Sequence, residues 1–365
     1  MNKARGLYIH IPFCRMKCRF CHFATFPGLR EKIPDYLSAL EKEMRFHEPS
    51  RLNTVFLGGG TPSILSPRQI LRLMGSIHRH FTVEKGAEIS MEWNPEDGNL
   101  PKLKATRETG VNRVSFGLQA VQDSHLRSLG RLHDFKKFTE AFGNARRAGF
   151  GNINIDLMFG LPGQTLADWT ETLDKVLALS PEHLSAYALD LDEPSALSFQ
   201  KTAPDDELQA DMYEILNAKL AGEGYIHYEI SNFAKPGHEC RHNLKYWRNE
   251  PCLGIGLSAA GYDGATRAKN HGRMEAYLTQ VGQKKQPVME KSTLSERDRI
   301  GEGLMLGLRL KEGAYVTPET SKFFGDILEK YRDLGLLSFS ADSSRAALNL
   351  NGWMVSNRIF LDILN

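Results

Sequence analysis

Between residues 7 and 188 the chain alternates six short β-rich runs with longer segments of helical period, and this alternation restricts the possible folds more than any other feature. The runs are 7–11, 54–57, 88–92, 113–117, 153–158 and 183–188; the helical segments include 33–47, 67–80, 135–148 and 166–179. Several of these open on a Ser, Thr or Asp cap or an early Pro, as helix starts do. Strands alternating with helices of this length need crossover connections, so the pattern predicts an α/β fold with a parallel sheet covered by helices. An open doubly wound sheet and an incomplete barrel both satisfy it, and both gather ligands beyond the carboxyl ends of the strands. The unusual residues lie at that rim: Cys14 comes after the first run, Gly58-Gly59-Gly60-Thr61-Pro62 after the second, Asn94-Pro95 after the third and Gln119 after the fourth.

Past about residue 200 the alternation fades into a helix (205–221), a turn-rich stretch through Gly264 and a polar linker at 282–292. The tail reads as helices at 295–308 and 318–334, a ribbon at 337–350 turning near 342–344, and a last helix after Asn351-Gly352 that ends at Leu364. That order resembles a small winged-helix-like domain. A chain of 365 residues has room for a barrel core at 1–230, a connecting segment at 231–285 and a C-terminal domain at 286–365. Lys plus Arg number 46 and Asp plus Glu 44, and a net charge of +2 gives no bulk field to attract nucleic acid or anionic lipid. No stretch approaches the roughly 18 to 20 apolar residues of a membrane span. Residues 1–5 lead into a strand-like run, not into the apolar core of a signal peptide. The expectation is a cytoplasmic protein with no nucleic-acid partner and no integral membrane segment.

Three of the five cysteines, Cys14, Cys18 and Cys21, stand in a C-x3-C-x2-C array; Cys240 and Cys252 lie far along the chain. An odd, clustered set suggests metal or redox chemistry in a reducing compartment more than a disulfide framework. Three thiolates on one loop suit three corners of a [4Fe-4S] cluster and leave one iron open. Arg15, Lys17 and Arg19, within the loop, are expected to lower the thiol pKa values and offset the cluster's charge. A zinc site completed by His10 or His22 is the alternative.

A C-x3-C-x2-C loop after a first strand, with GGGTP after the second, resembles the radical S-adenosylmethionine (SAM) superfamily. The resemblance implies an incomplete (β/α)6 barrel, a cluster on Cys14, Cys18 and Cys21, and SAM chelated at the open iron. Gly59, Gly60 and Thr61 would bring backbone and hydroxyl close to the SAM methionine group. Glu92, in Glu-Trp-Asn-Pro, would hold the ammonium or a ribose hydroxyl. Gln119 in Ser-Phe-Gly-Leu-Gln, Arg131 in Leu-Gly-Arg-Leu-His and Asp156 in Asn-Ile-Asp-Leu-Met-Phe-Gly-Leu-Pro-Gly match the coproporphyrinogen-dehydrogenase-like branch, which places such residues around the ribose and the methionine carboxylate. Tyr8 and Phe20 match further SAM-contacting positions, with core packing as the plainer reading of each.

Within that branch two groups compete. The oxygen-independent oxidase pattern extends the cluster motif to a fourth cysteine, where this chain has Phe23, and the oxidase has a longer N-terminal extension. The heme-chaperone group carries HNxxYW, matched by His242-Asn-Leu-Lys-Tyr246-Trp247. Resemblance to that group implies that heme is bound, with His242 as a candidate iron ligand, and passed to apo-hemoproteins such as respiratory enzymes, with homodimerisation possible. Without the resemblance, a packed aromatic corner around a hydrogen-bonded histidine is the plainer reading. Cys240 and Cys252 flank the motif, either as buried free thiols or as a Cys-x-His heme ligand. One position departs from the chaperone pattern: His22 stands where its members commonly carry Asp.

Overall fold

The computed structural model describes residues 5–190, 195–197 and 205–364, so the reading of residues 1–4 as lacking a signal sequence lies outside the described residues. All six runs form strands: β1 (Arg5–Ile11), β2 (Arg51–Gly59), β3 (Thr82–Trp93), β4 (Arg113–Gln119), β5 (Ile153–Phe159) and β6 (His183–Ala188). Each pairs parallel to the next in chain order. A doubly wound sheet reverses its strand order part-way, whereas sequential order is the winding of a barrel, so the incomplete barrel is the fold and the open sheet is not.

The crossovers are α1 (Ile33–Met44), α2 (Pro67–His80), α3 (Leu100–Glu108), α4 (Phe135–Arg147) and α5 (Leu166–Leu177). Their starts are chemically marked: Ser66 and Gln69 form a reciprocal capping box ahead of Pro67, and Thr165 and Asp168 form another. Asp134 caps α4 by accepting from the Lys137 amide at 2.6 Å.

After α6 (Asp206–Gly222), β7 (Ile226–Glu229) and β8 (Asn232–Ala234) add antiparallel to the β6 edge. The expectation of a turn-rich stretch and polar linker is corrected. The helix α7 (Arg241–Trp247) is followed by β9 (Cys252–Ile255), which lies parallel against β1, and by antiparallel β10 (Ala260–Tyr262) and β11 (Thr266–Asn270). Beyond α8 (Met274–Gly282), β12 (Val288–Thr293) completes a 12-stranded sheet. β9 lies inside the sheet with Cys252 and Ile255 buried, while β10 and β11 are half-exposed and β12 is an exposed edge; all are short and show no clear apolar alternation, and the pairing of β9 with β1 joins residues distant in sequence. Segment 231–285 is therefore woven into the barrel sheet at both edges.

The period-2 alternation of the strands sorts their side chains into two layers. Ile89, Met91 and Trp93 of β3, Val114, Phe116 and Leu118 of β4, and Ile153, Ile155 and Leu157 of β5 join the helices in one continuous apolar core. The residues between them face the lumen: Glu88, Ser90 and Glu92, then Arg113, Ser115 and Gln119, then Asn154 and Asp156. Asn154 Nδ2 donates to Ser115 Oγ and to Asp156 Oδ1, both at 2.7 Å, and Ser185 Oγ donates to Asn154 Oδ1 at 3.2 Å, tying β4, β5 and β6 together inside. A barrel that only had to be stable would fill its interior with branched apolar residues; this one lines it with charge and hydroxyls.

The tail forms the expected elements: α9 (Glu296–Leu308), α10 (Pro318–Asp333), a ribbon of Leu337–Phe339 and Arg345–Leu348, and α11 (Ser356–Leu364). Ala314–Tyr315 adds a third strand to the ribbon. A separate core of Leu308, Phe324, Leu328, Trp353, Ile359 and Phe360 holds it, and the Trp353 indole N–H donates to the Leu308 carbonyl at 3.1 Å.

Candidate functional site

The cysteine loop leaves β1 at the carboxyl rim and returns under it. Cys14 is buried, Cys18 and Cys21 are half-buried, and the Cys21 amide donates to the Cys18 carbonyl at 3.1 Å, closing one turn of the loop. A ring of hydrogen bonds joins two of the thiols through three other rim loops. Thr61 Oγ1 donates to Cys14 Sγ at 3.4 Å, Asn94 Nδ2 donates to Thr61 Oγ1 at 3.3 Å, and Arg131 donates to Asn94 Oδ1 at 3.0 Å and to Cys18 Sγ at 3.3 Å. His10, one of the two histidines that the zinc alternative would use, has both ring nitrogens engaged, with Tyr8 Oη at 3.0 Å and the Ala24 carbonyl at 2.9 Å.

The expectation that the loop's basic residues lower the thiol pKa values is corrected. Burial pushes Cys14 up to about 11 and raises Cys21, against weaker opposing contributions from hydroxyls, backbone and, last, Lys17. Arg15 spends its charge on Asp97, 2.5 Å away.

The glycines after β2 are required by close approach. Gly59 has φ +113°, and a Cβ there would meet the His10 ring at 2.5 Å; a Cβ on Gly60 would lie 3.0 Å from Cys14 Sγ. The Gly59 amide donates to Glu92 Oε2 at 2.9 Å. Burial, and then the charge of Asp156, push Glu92 up to about 8, and burial raises Asp156 as well, with Arg113 opposing it only weakly. A cation placed between two acids raised in this way would favour their charged forms. Tyr8 stacks on Phe56 with ring centres 6.3 Å apart and also feels the charge of Glu92.

Gln119 ends β4 at a bulge with φ +77°, a left-handed conformation that costs a non-glycine residue energy and turns the strand end toward the rim. Arg131 also donates to the Gly117 carbonyl at 2.6 Å, while its buried Nε has no partner. Phe20 packs half-buried against a small apolar cluster that includes Leu126, Leu129 and Met158. The structure thus gathers Tyr8, Cys14, Cys18, Phe20, Cys21, Gly59, Gly60, Thr61, Glu92, Gln119, Arg131 and Asp156 around one end of the lumen. The donor set fits a cluster and SAM: three thiols, a glycine cradle, two carboxylates for a cation and an arginine for a carboxylate.

His242 is elsewhere. It lies level with Thr54 and Glu88, four residues down the strands from Gly58 and Glu92, or about 13 Å at a strand's rise per residue. Its ring is buried; Nδ1 meets Thr54 Oγ1 at 2.9 Å, Nε2 meets Tyr246 Oη at 3.1 Å, and Phe56 stacks on it at 5.3 Å. Burial lowers its pKa to about 3. The aromatic-corner reading describes this geometry, and His242 presents no nitrogen to a surface. Cys240 and Cys252 are free and buried, as that reading held.

Sequence reasoning missed Glu88, whose carboxylate accepts from the amides of Arg241 and His242 at 3.0 Å and caps α7 from across the barrel. It also missed the role of Asn94 as the link between Thr61 and Arg131. The first had a readable signal: Glu88 and Glu92 are four apart on one strand and so share a face.

The sequence model of the radical SAM superfamily matches residues 8–176. The chain is 38% identical to a protein named heme chaperone HemW of Bacillus subtilis (strain 168), over 98% of this chain and 98% of that one. It is 37% identical to one of the same name from Escherichia coli (strain K12), over 70% of this chain and 69% of that one. Among solved structures, coproporphyrinogen III oxidase (HemN) from Escherichia coli, described as a radical SAM enzyme, superposes with TM-score 0.85 at 26% identity, covering 99% of this chain and 90% of that one.

Proposed function

The chain belongs to the HemW family of radical SAM proteins, and from that premise we propose that it is a heme chaperone, binding heme and transferring it to apo-hemoproteins. The observation that carries this reading is the match along both chains nearly end to end with relatives that bear that name. Phe23, 57% exposed, occupies the place of the oxidase's fourth cysteine and offers no ligand, which supports the same choice.

Membership of the radical SAM family implies a [4Fe-4S] cluster and SAM. Cys14, Cys18 and Cys21 would hold the cluster; Glu92 and Asp156 would receive the cationic end of SAM and its ribose, and Arg131 its carboxylate. When bound, such a cluster and SAM can supply a 5′-deoxyadenosyl radical. This chain's own contribution is positional: Arg131 and Thr61 hold two of the thiols, and Glu92 fixes the Gly59 backbone through its amide. The end of the lumen around His242 is occupied by protein groups, so heme and SAM would use different places.

The resemblance of HemN to the whole chain favours a second reading, oxidative decarboxylation of coproporphyrinogen III. One experiment separates the two. Anaerobically reconstituted protein, shown to carry its cluster and bind SAM, is given reductant and coproporphyrinogen III, and in parallel is loaded with hemin and mixed with an apo-hemoprotein. Heme transfer with no decarboxylated porphyrin is the expected result; decarboxylated product would establish the oxidase reading instead.

A further inference from the structure

The turn Pro95–Asp97 that follows β3 ties several rim loops together. Asn94, just before it, joins Thr61 to Arg131, and Asp97 at its end takes Arg15 of the cysteine loop at 2.5 Å and the Ser63 hydroxyl at 3.1 Å. Glu96 stands between them, and its Oε2 is buried with no hydrogen-bond partner. His133 Nδ1 lies 3.9 Å from that oxygen, and it is also buried and also without a partner. Each orphaned polar atom in a closed interior is destabilising until something satisfies it, and here two of opposite origin in the chain meet.

The chemistry of the ring decides what joins them. His133 Nε2 is 3.3 Å from the Leu118 carbonyl, and a carbonyl only accepts, so Nε2 carries the proton. Burial, and then the charge of Arg131, lower the pKa of His133 to about 3, so the ring is neutral and Nδ1 presents a lone pair. Glu96 Oε2 presents another. Two acceptors so placed need a donor between them; 3.9 Å is too long for a direct bond and short enough for one water that donates to both.

Arg131 and His133 stand two residues apart in the loop that leads into α4, and they hold consecutive carbonyls at the end of β4: Arg131 donates to Gly117 at 2.6 Å and His133 to Leu118 at 3.3 Å. Arg131 also reaches the turn after β3 through Asn94 at 3.0 Å, and His133 meets that turn at Glu96. Building on the SAM reading of the rim, we propose that a buried water joins His133 to Glu96, and that His133 is a positioning residue that sets the Arg131 guanidinium against Cys18 and the carboxylate of SAM. With one strut to the turn the loop can pivot about the Asn94 contact; with two it is fixed in direction as well as distance.

The test is SAM affinity by equilibrium dialysis on the reconstituted full chain, read together with electron paramagnetic resonance of the reduced cluster, with folding checked by circular dichroism. Glu96→Leu removes one acceptor of the water; it should weaken SAM binding about fivefold, the scale of one hydrogen bond, and shift the cluster signal through the Arg131 contact to Cys18. Glu96→Gln turns an amide N–H toward Nδ1 and should restore wild-type affinity and signal. His133→Phe keeps the bulk of the ring and should weaken binding at least as much as Glu96→Leu. In an Arg131→Met background, where the group through which His133 acts is gone, His133→Phe should cause no further loss, whereas a residue that only holds the fold would add its loss to that of Arg131. Wild-type affinity in Glu96→Leu or His133→Phe, equal losses for Glu96→Gln and Glu96→Leu, or a full additional loss from His133→Phe in the Arg131→Met chain would overturn the proposal. A wild-type chain that carries its cluster but takes up no SAM would instead remove the SAM reading itself.

Discussion

Replacing Gly59 by Ala should disable the SAM end of the lumen, and the cost can be worked from the structure. At φ +113° an L-residue costs about 1–2 kcal/mol in backbone strain. The new methyl would stand 2.5 Å from two atoms of the His10 ring, closer than real contacts come. That ring cannot swing aside without giving up its bonds to Tyr8 and Ala24, worth about 1 kcal/mol each. The total is about 3–4 kcal/mol, a large part of the roughly 5–15 kcal/mol that holds a folded domain. Gly86 is the natural control: φ is +80°, but nothing lies within 4 Å of its Cβ position, so Gly86→Ala should carry only the backbone strain. Urea denaturation of cluster-free protein would show Gly59→Ala about 2 kcal/mol worse than Gly86→Ala. In a His10→Ala background, where the collision partner is gone, the cost of Gly59→Ala should fall to that of Gly86→Ala. Equal cost for Gly59→Ala and Gly86→Ala in the wild-type background would refute the reasoning.

Other substitutions probe other parts of the molecule. Cys18→Ala should abolish the brown cluster absorbance after anaerobic reconstitution; retention of four irons per chain would remove the cluster assignment. Arg131→Met breaks the contacts to Cys18, Asn94 and the Gly117 carbonyl, and SAM affinity measured by equilibrium dialysis should drop about tenfold or more, as expected for loss of a charge-assisted contact. His242, held near a pKa of 3 by burial, refuses a proton that the unfolded chain accepts below about pH 6.5. Its contribution to stability is therefore complete above pH 6.5 and lost as pH falls from there toward 3. His242→Gln should flatten that part of the stability–pH curve, and an unchanged slope would mean that other groups set it.

The six strands and the placing of the cysteines, glycines and polar residues at the rim were legible because each is local. A strand announces itself by period, a rim by the residues just past the strand's end, and the Cys14 to Cys21 array by spacing alone. The cap chemistry at Ser66, Asp134 and Thr165 was equally readable. The choice of barrel over open sheet was not, since it depends on which strands are neighbours in space.

Other features were settled by spatial neighbours in the same way. Short strands such as Cys252–Ile255, inside the sheet beside β1, and Val288–Thr293, at its edge, carry no alternation, because their partners, not their own burial pattern, hold them. Burial decided Cys14 and Cys21, overriding the basic residues beside them, because desolvation scales with everything packed around a thiol and not with its sequence neighbours. The HNxxYW motif names its residues in sequence, but the bonds of His242 to Thr54 and of its amide to Glu88 span 188 and 154 residues. Sequence specified which groups the protein would own; the winding of the sheet decided which of them stand at the rim and which meet one another.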